Sequence, residues 1–94
     1  MVRGAYEQAQ DHLQRALALN AQLGRPAGIA RCWQSLGELA VVRGACDQAK
    51  DHLQRALDLY RQLGVARAIE TIQAKLDETD QLSSHVTGPA TQPK

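Results

Sequence analysis

The sequence predicts an all-α fold, a short stack of antiparallel helices closed by a terminal cap. Three observations predict it. The chain is rich in Ala, Leu, Gln and Arg and sparse in β-branched residues, with no Phe and only Trp33, Tyr6 and Tyr60 as aromatics; the abundant types are strong helix formers. The stretch RGAYEQAQDHLQRALALNAQLG, Arg3 to Gly24, returns as RGACDQAKDHLQRALDLYRQLG, Arg43 to Gly64, with 16 identities in 22 positions at an offset of 40 residues. Internal periods of about 20 to 50 residues mark arrays built from one supersecondary unit. Finally, the apolar residues of both copies recur at helical rather than strand spacing.

The first helix is expected over roughly residues 4 to 23, with Ala9, Leu13, Ala16, Leu17 and Leu23 on one face and Asn20 breaking the stripe. Gly4 before it and Gly24 after it read as punctuation, the second as a left-handed cap. A second helix over residues 26 to 42 starts at Pro26, which suits a first helical turn. Its stripe is Ile29, Cys32, Trp33, Leu36, Leu39 and Ala40, and it breaks at Gly44. The third helix, 45 to 63, repeats the first with Ala49, Leu53, Ala56, Leu57, Tyr60 and Leu63, and ends before Gly64. In the fourth, 66 to 81, the offset of 40 continues weakly: Ile69 and Leu76 match Ile29 and Leu36, whereas Gln73, Asp77 and Thr79 replace Trp33, Gly37 and Leu39. A more polar face is what a capping helix needs, because nothing packs beyond it. Residues 1–82 therefore form the helical domain, and the aperiodic tail SSHVTGPATQPK, 83–94, is expected to be disordered.

Composition narrows the function. Ninety-four residues make one domain with modest burial, so support from a partner is plausible. Eleven Lys and Arg against ten acidic residues leave no electrostatic footprint for nucleic acid. No apolar run nears the roughly 18 residues that span a bilayer, and the start lacks a signal-peptide core; a cytoplasmic protein is expected, with no membrane partner. Cys32 and Cys46 lie near opposite ends of one helical hairpin, on the order of 15 Å apart at about 1.5 Å per residue, too far for a disulfide within the chain.

From Trp33 the second unit reads Trp33, Leu36, Gly37, Ala40, then Ala49, Leu53 and Ala56. This resembles the tetratricopeptide repeat, whose first helix carries Trp, Leu, Gly and Tyr and whose second carries Ala, an aromatic and Ala. Ala40 stands for the Tyr, Leu53 for the aromatic and Arg61 for the closing Pro. The period of 40 exceeds the usual 34 or so and is similar to the longer variety in bacterial regulators and in polarity and cytoskeletal adaptors. The resemblance covers about Arg3 to Leu82 and implies a right-handed α-α superhelix that binds proteins or peptides and performs no chemistry. Independently of the family, Gly37 inside a helix costs about 1 kcal/mol relative to Ala, which points to close approach of a partner helix at Ala49 and Ala56.

In that register the chain opens on the second helix of a repeat, with only Met1, Val2 and Arg3 where a first helix is expected. The face of Tyr6, Ala9, Leu13 and Ala16 then lacks a partner. Either it continues a longer array, or two chains cover each other's open faces as a homodimer. The resemblance also implies an inner groove from first-helix positions: Arg31, Gln34, Ser35, Glu38, Val41 and Val42, with Thr71, Ala74, Lys75 and Glu78 from the last helix. Its mixed charge lacks the pattern that clamps a peptide C-terminal carboxylate, while Val41 and Val42 offer an apolar anchor point.

The doubled Asp-His pairs, Asp11-His12 and Asp51-His52, invite a metal-site reading. Adjacent helical residues point about 100° apart, whereas zinc wants three or four converging ligands at about 2 Å. The same aspartates are spaced i, i+4 before Arg15 and Arg55, the favourable order for a helix-surface ion pair. No phosphate loop, nucleophile elbow or HExxH is present; no catalytic, cofactor or metal site is expected.

Overall fold

The computed structural model describes the backbone of residues 2–91 and the side chains of residues 4–82. Four helices follow in order: α1 (Val2–Leu23), α2 (Pro26–Val42), α3 (Cys46–Leu63) and α4 (Ala66–Thr91). No strand occurs among the described residues. Each helix packs on the next in the chain, α2 against α3 most extensively. The Cα radius of gyration is 14.7 Å, against about 12 Å for a compact domain of this length. The molecule is accordingly an open all-α superhelix.

The three joints are built alike. Gly24, Gly44 and Gly64 take φ of +66°, +80° and +73°, the left-handed region that a side chain would strain. At each, the glycine N–H donates to the carbonyl three residues back and the following N–H to the carbonyl five back: Gly24 to Ala21 and Arg25 to Asn20, Gly44 to Val41 and Ala45 to Ala40, Gly64 to Arg61 and Val65 to Tyr60. This is the Schellman closure, which satisfies two carbonyls left over by the helix end. The residue after each glycine then starts the next helix, with Ile29, Ala49 and Ile69 donating to Arg25, Ala45 and Val65. Gly4, expected to stand before the first helix, lies inside α1 with no positive φ. Arg3-Gly4-Ala5 and Arg43-Gly44-Ala45 are the same tripeptide in two backbones.

The core joins Ala30 of α2, Leu53, Ala56, Leu57 and Tyr60 of α3, and Ile72 of α4, with Trp33, Leu59, Ala68, Ile69 and Leu76 packed against it. No residue of α1 belongs to it. At its centre α2 and α3 approach through Gly37, where a Cβ would stand 2.6 Å from Leu53 Cγ and 3.3 Å from the Leu53 backbone nitrogen. The expected close approach is therefore present, with Leu53 supplying the atoms nearest to Gly37 and Ala49 and Ala56 fully buried on the same helix. Trp33, expected as core, is only partly buried. Its ring lies 5.3 Å from that of His52, with the Arg55 guanidinium 5.0 Å from its centroid, so it closes the rim of the α2/α3 contact.

The capping helix differs from expectation at two points. Gln73 and Asp77 are exposed as expected, but Thr79 is 1 % exposed. It tolerates burial because its hydroxyl donates to the Lys75 carbonyl at 2.8 Å, which removes the cost of an unpaired group. The backbone of α4 also runs on to Thr91 where a stop near residue 81 was expected, and no glycine or proline interrupts it before Gly88. The tail expected to be disordered, 83–94, has its side chains and its last three residues outside the described residues.

Two stability measurements check these local arguments. Gly37→Ala should lower the unfolding free energy by roughly 1–2 kcal/mol in urea titration, since overpacking against Leu53, which is fully buried, outweighs the gain in helix propensity. Arg25, the exposed N-cap of α2, makes no side-chain capping bond; Arg25→Ser should therefore raise the thermal midpoint, by about 0.5–1 kcal/mol in free energy.

Candidate functional site

The two copies of Asp-His-Leu-Gln-Arg-Ala-Leu occupy different environments. In α3, Ala49, Leu53 and Ala56 are fully buried, with Leu57 3 % and Tyr60 6 % exposed. Their counterparts in α1, Ala9, Leu13, Ala16, Leu17 and Asn20, are all half-buried, as is Tyr6. α3 is held between α2 and α4, whereas α1 has α2 on one side and no described residue on the other. The four residues expected as a self-association face thus lie together on α1, partly open. Leu19 and Leu23, each 54 % exposed, extend the apolar surface toward its C-terminus.

The Asp-Arg pairs behave as helix-surface ion pairs. Arg15 meets Asp11 and Arg55 meets Asp51, each at 3.2 Å and solvent-exposed, so each contributes at most a few tenths of a kcal/mol. His12 is exposed, while His52 is turned onto Trp33 with its Nδ1 buried and unpaired. Among the described residues no group of three His, Cys, Asp or Glu is placed to hold a metal ion. Both cysteines are free, Cys32 buried and Cys46 half-buried.

Of the ten residues expected to line one groove, seven divide between two cavities. Glu38, Val41 and Val42 of α2 meet Lys75 and Glu78 of α4 around a cavity of about 220 Å³ that also takes in Leu53, Thr79 and Leu82. Lys75 Nζ reaches Glu38 Oε2 at 3.7 Å, and Gln34 Nε2 donates to the same carboxylate at 3.1 Å. Val42 is 64 % and Leu82 47 % exposed, giving this cavity an apolar lip around its charges. Arg31 and Ser35 open instead onto a cavity of about 320 Å³ between α1 and α2, with Leu13, Asn20, Gly28 and Cys32. Thr71 and Ala74 stand exposed on α4, the Thr71 hydroxyl donating back to the Arg67 carbonyl.

Asn20 and Gly28 went unmarked by sequence reasoning, although a signal was available. Their counterparts are Tyr60 and Ala68, so a large-small pair has become a smaller pair in close contact: a Cβ on Gly28 would collide with the Asn20 amide. Asn20 Nδ2 also donates to the Ala16 carbonyl at 2.8 Å and approaches Cys32 Sγ at 3.8 Å. In the other unit, burial pushes the Tyr60 phenol up from its ordinary value, opposed by the nearby Arg31 guanidinium. Across α3 and α4, Lys50 bonds Asp80 at 2.9 Å, which holds its ammonium above the usual lysine range.

The framework is one glycine-centred helix pair, α2 and α3, stacked between α1, whose sequence α3 repeats at an offset of 40, and α4. A family model described as tetratricopeptide repeat matches residues 1–62, well over half of the chain. The chain belongs to the tetratricopeptide-repeat family. Tetratricopeptide repeats are in general non-catalytic modules that bind proteins or peptides. Comparisons with curated proteins and with solved structures gave no match. No helix among the described residues is long and apolar enough to cross a membrane.

The duplicated heptapeptide gives an internal control on what the stacking contributes. Leu53→Ala should cost about 3–5 kcal/mol in chemical denaturation, the range for a filled core site. Leu13→Ala, the same change in the same seven-residue sequence, should cost only about 1 kcal/mol because its surroundings are already open to solvent.

Proposed function

We propose that this chain is a cytoplasmic scaffold that works by protein–protein interaction and that, by itself, it self-associates through the open face of α1 as a homodimer. The observation that carries the reading is the contrast between copies: residues that α2 covers on α3 stay half-exposed on α1. Leaving apolar surface in water costs about 25 cal/mol per Å², and a second chain presenting the same face can remove that cost symmetrically. The second surface, around Val41, Val42 and Leu82, suits an apolar peptide anchor flanked by basic groups, which would answer Glu38 and Glu78.

A further reading has a specific observation in its favour. Arg3-Gly4-Ala5 repeats the tripeptide that forms the α2–α3 joint, as it would if another helix were joined ahead of α1 in a longer array. On that reading the segment is a sensory or regulatory part of a larger bacterial signalling protein, such as an ATPase-type transcription activator. Adjoining coding sequence with further 40-residue units would support it.

Self-association is tested by light scattering coupled to size exclusion across a dilution series. The expected result is a dimer at micromolar concentration that Leu13→Lys converts to monomer with unchanged helicity. A wild-type chain that stays monomeric throughout would sink the self-association reading.

A further inference from the structure

We propose that the apolar cavity between α2 and α4 receives an arginine side chain of a partner protein, its methylenes against Val41, Val42 and Leu82 and its guanidinium between Glu38 and Glu78. This rests on the reading that the surface around Val41, Val42 and Leu82 binds a partner, and it names the basic group. The cavity, about 220 Å³, has apolar walls in Val41, Val42, Leu53 and Leu82 and carries two carboxylates against one ammonium, that of Lys75. Apolar walls alone would accept any hydrophobic side chain. The surplus carboxylate is what selects a cation.

The duplication accounts for the way the two acids come to share one cavity. Glu78 follows Glu38 by 40 residues, and Leu82 follows Val42 by the same offset. Because α2 and α4 both pack on α3, the equivalent positions bring a pair of acids beside a pair of apolar residues one turn further on. The Glu38 carboxylate is also held in place. The Tyr60 hydroxyl donates to Gln34 Oε1 at 3.4 Å, Gln34 Nε2 donates to Glu38 Oε2 at 3.1 Å, and Lys75 Nζ stands 3.7 Å from that same oxygen. This relay engages one oxygen only. Among the described residues, Glu38 Oε1 and the Glu78 carboxylate have no hydrogen-bond partner.

Two acceptors facing one cavity favour a guanidinium over an ammonium. A guanidinium is a planar fork that can donate to both carboxylates at once, and it sheds water more readily than the compact ammonium of lysine. Its stem can cover the exposed Val42 and Leu82 while the charged head stays at the rim. Restraint of Glu38 before binding lowers the ordering cost. The other cavity supplies a contrast: lined by Arg31 and no acid, it should repel the same cation.

The test titrates the full isotope-labelled chain with the peptide acetyl-Ala-Ala-Arg-Ala-Ala-amide, and with versions carrying lysine, citrulline or norleucine at the centre, followed by backbone amide shifts. Saturable shifts centred on Val41, Val42 and Leu82 are expected with arginine. Binding should weaken at least about threefold with lysine and about tenfold with citrulline or norleucine, which lack the charge. The exposed Glu78→Gln should weaken the arginine peptide about threefold or more and leave helicity unchanged. Absence of saturation, shifts gathered at Arg31 and Ser35, equal binding of lysine, citrulline or norleucine, or indifference to Glu78→Gln would each overturn the proposal. Loss of self-association in Glu78→Gln would assign the arginine to a second copy of this chain and overturn the assignment to a partner. A chain that dimerises but ignores the arginine peptide refutes this inference and keeps self-association. A monomeric chain that binds it with the stated dependence does the reverse.

Discussion

The contact of Gly37 with Leu53 is the constraint on which the rest depends. Without a Cβ on α2 at that point, α3 comes close enough for Ala30 and Ala56 to be fully buried beside it, and small residues can then form a dry interface. The closeness in turn leaves a wedge between the helix pair and its neighbours, which Ile72 and Tyr60 fill from α4 and α3. A helix-destabilising residue in mid-helix is tolerated because the packing it permits returns more than the roughly 1 kcal/mol it forfeits.

The same principle explains why near-identical sequences have unequal environments. Burial belongs to the pair of surfaces and not to the residue. α3 has α2 on one side and α4 on the other, whereas α1 has α2 on one side and no described residue on the other. In a stack whose members touch only adjacent members, the stability of each helix is its own contribution plus those of its two interfaces. α1 has one.

Much of this was legible in the sequence. The offset of 40, the three glycines at the joints and the stripes of α2 and α3 lead directly to helices at the observed positions, and Gly37 announced a close approach by its cost. What escaped was decided by three-dimensional context. Gly4 reads as punctuation because its twin Gly44 is one, yet it lies within α1 without the positive φ of the joints. Trp33 reads as core by size, yet it lies at the rim because Gly37 and Leu53 already close the centre. Thr79 reads as exposed by polarity, yet its hydroxyl has a partner one turn back on its own helix. The residues expected in a single groove do not surround one cavity: Arg31 and Ser35 line the one between α1 and α2, while Glu38, Val41, Val42, Lys75 and Glu78 line the one between α2 and α4, a division that spacing along one helix does not reveal.

That division has a mechanical side. α2 lines both cavities, with Gly28, Arg31, Cys32 and Ser35 toward α1 and Glu38, Val41 and Val42 toward α4, and between them it is pinned at Gly37. Buried at Ala30, Cys32, Leu36 and Ala40 as well, α2 is one wall common to both cavities, so neither can be reshaped on that side without disturbing packing that the other shares.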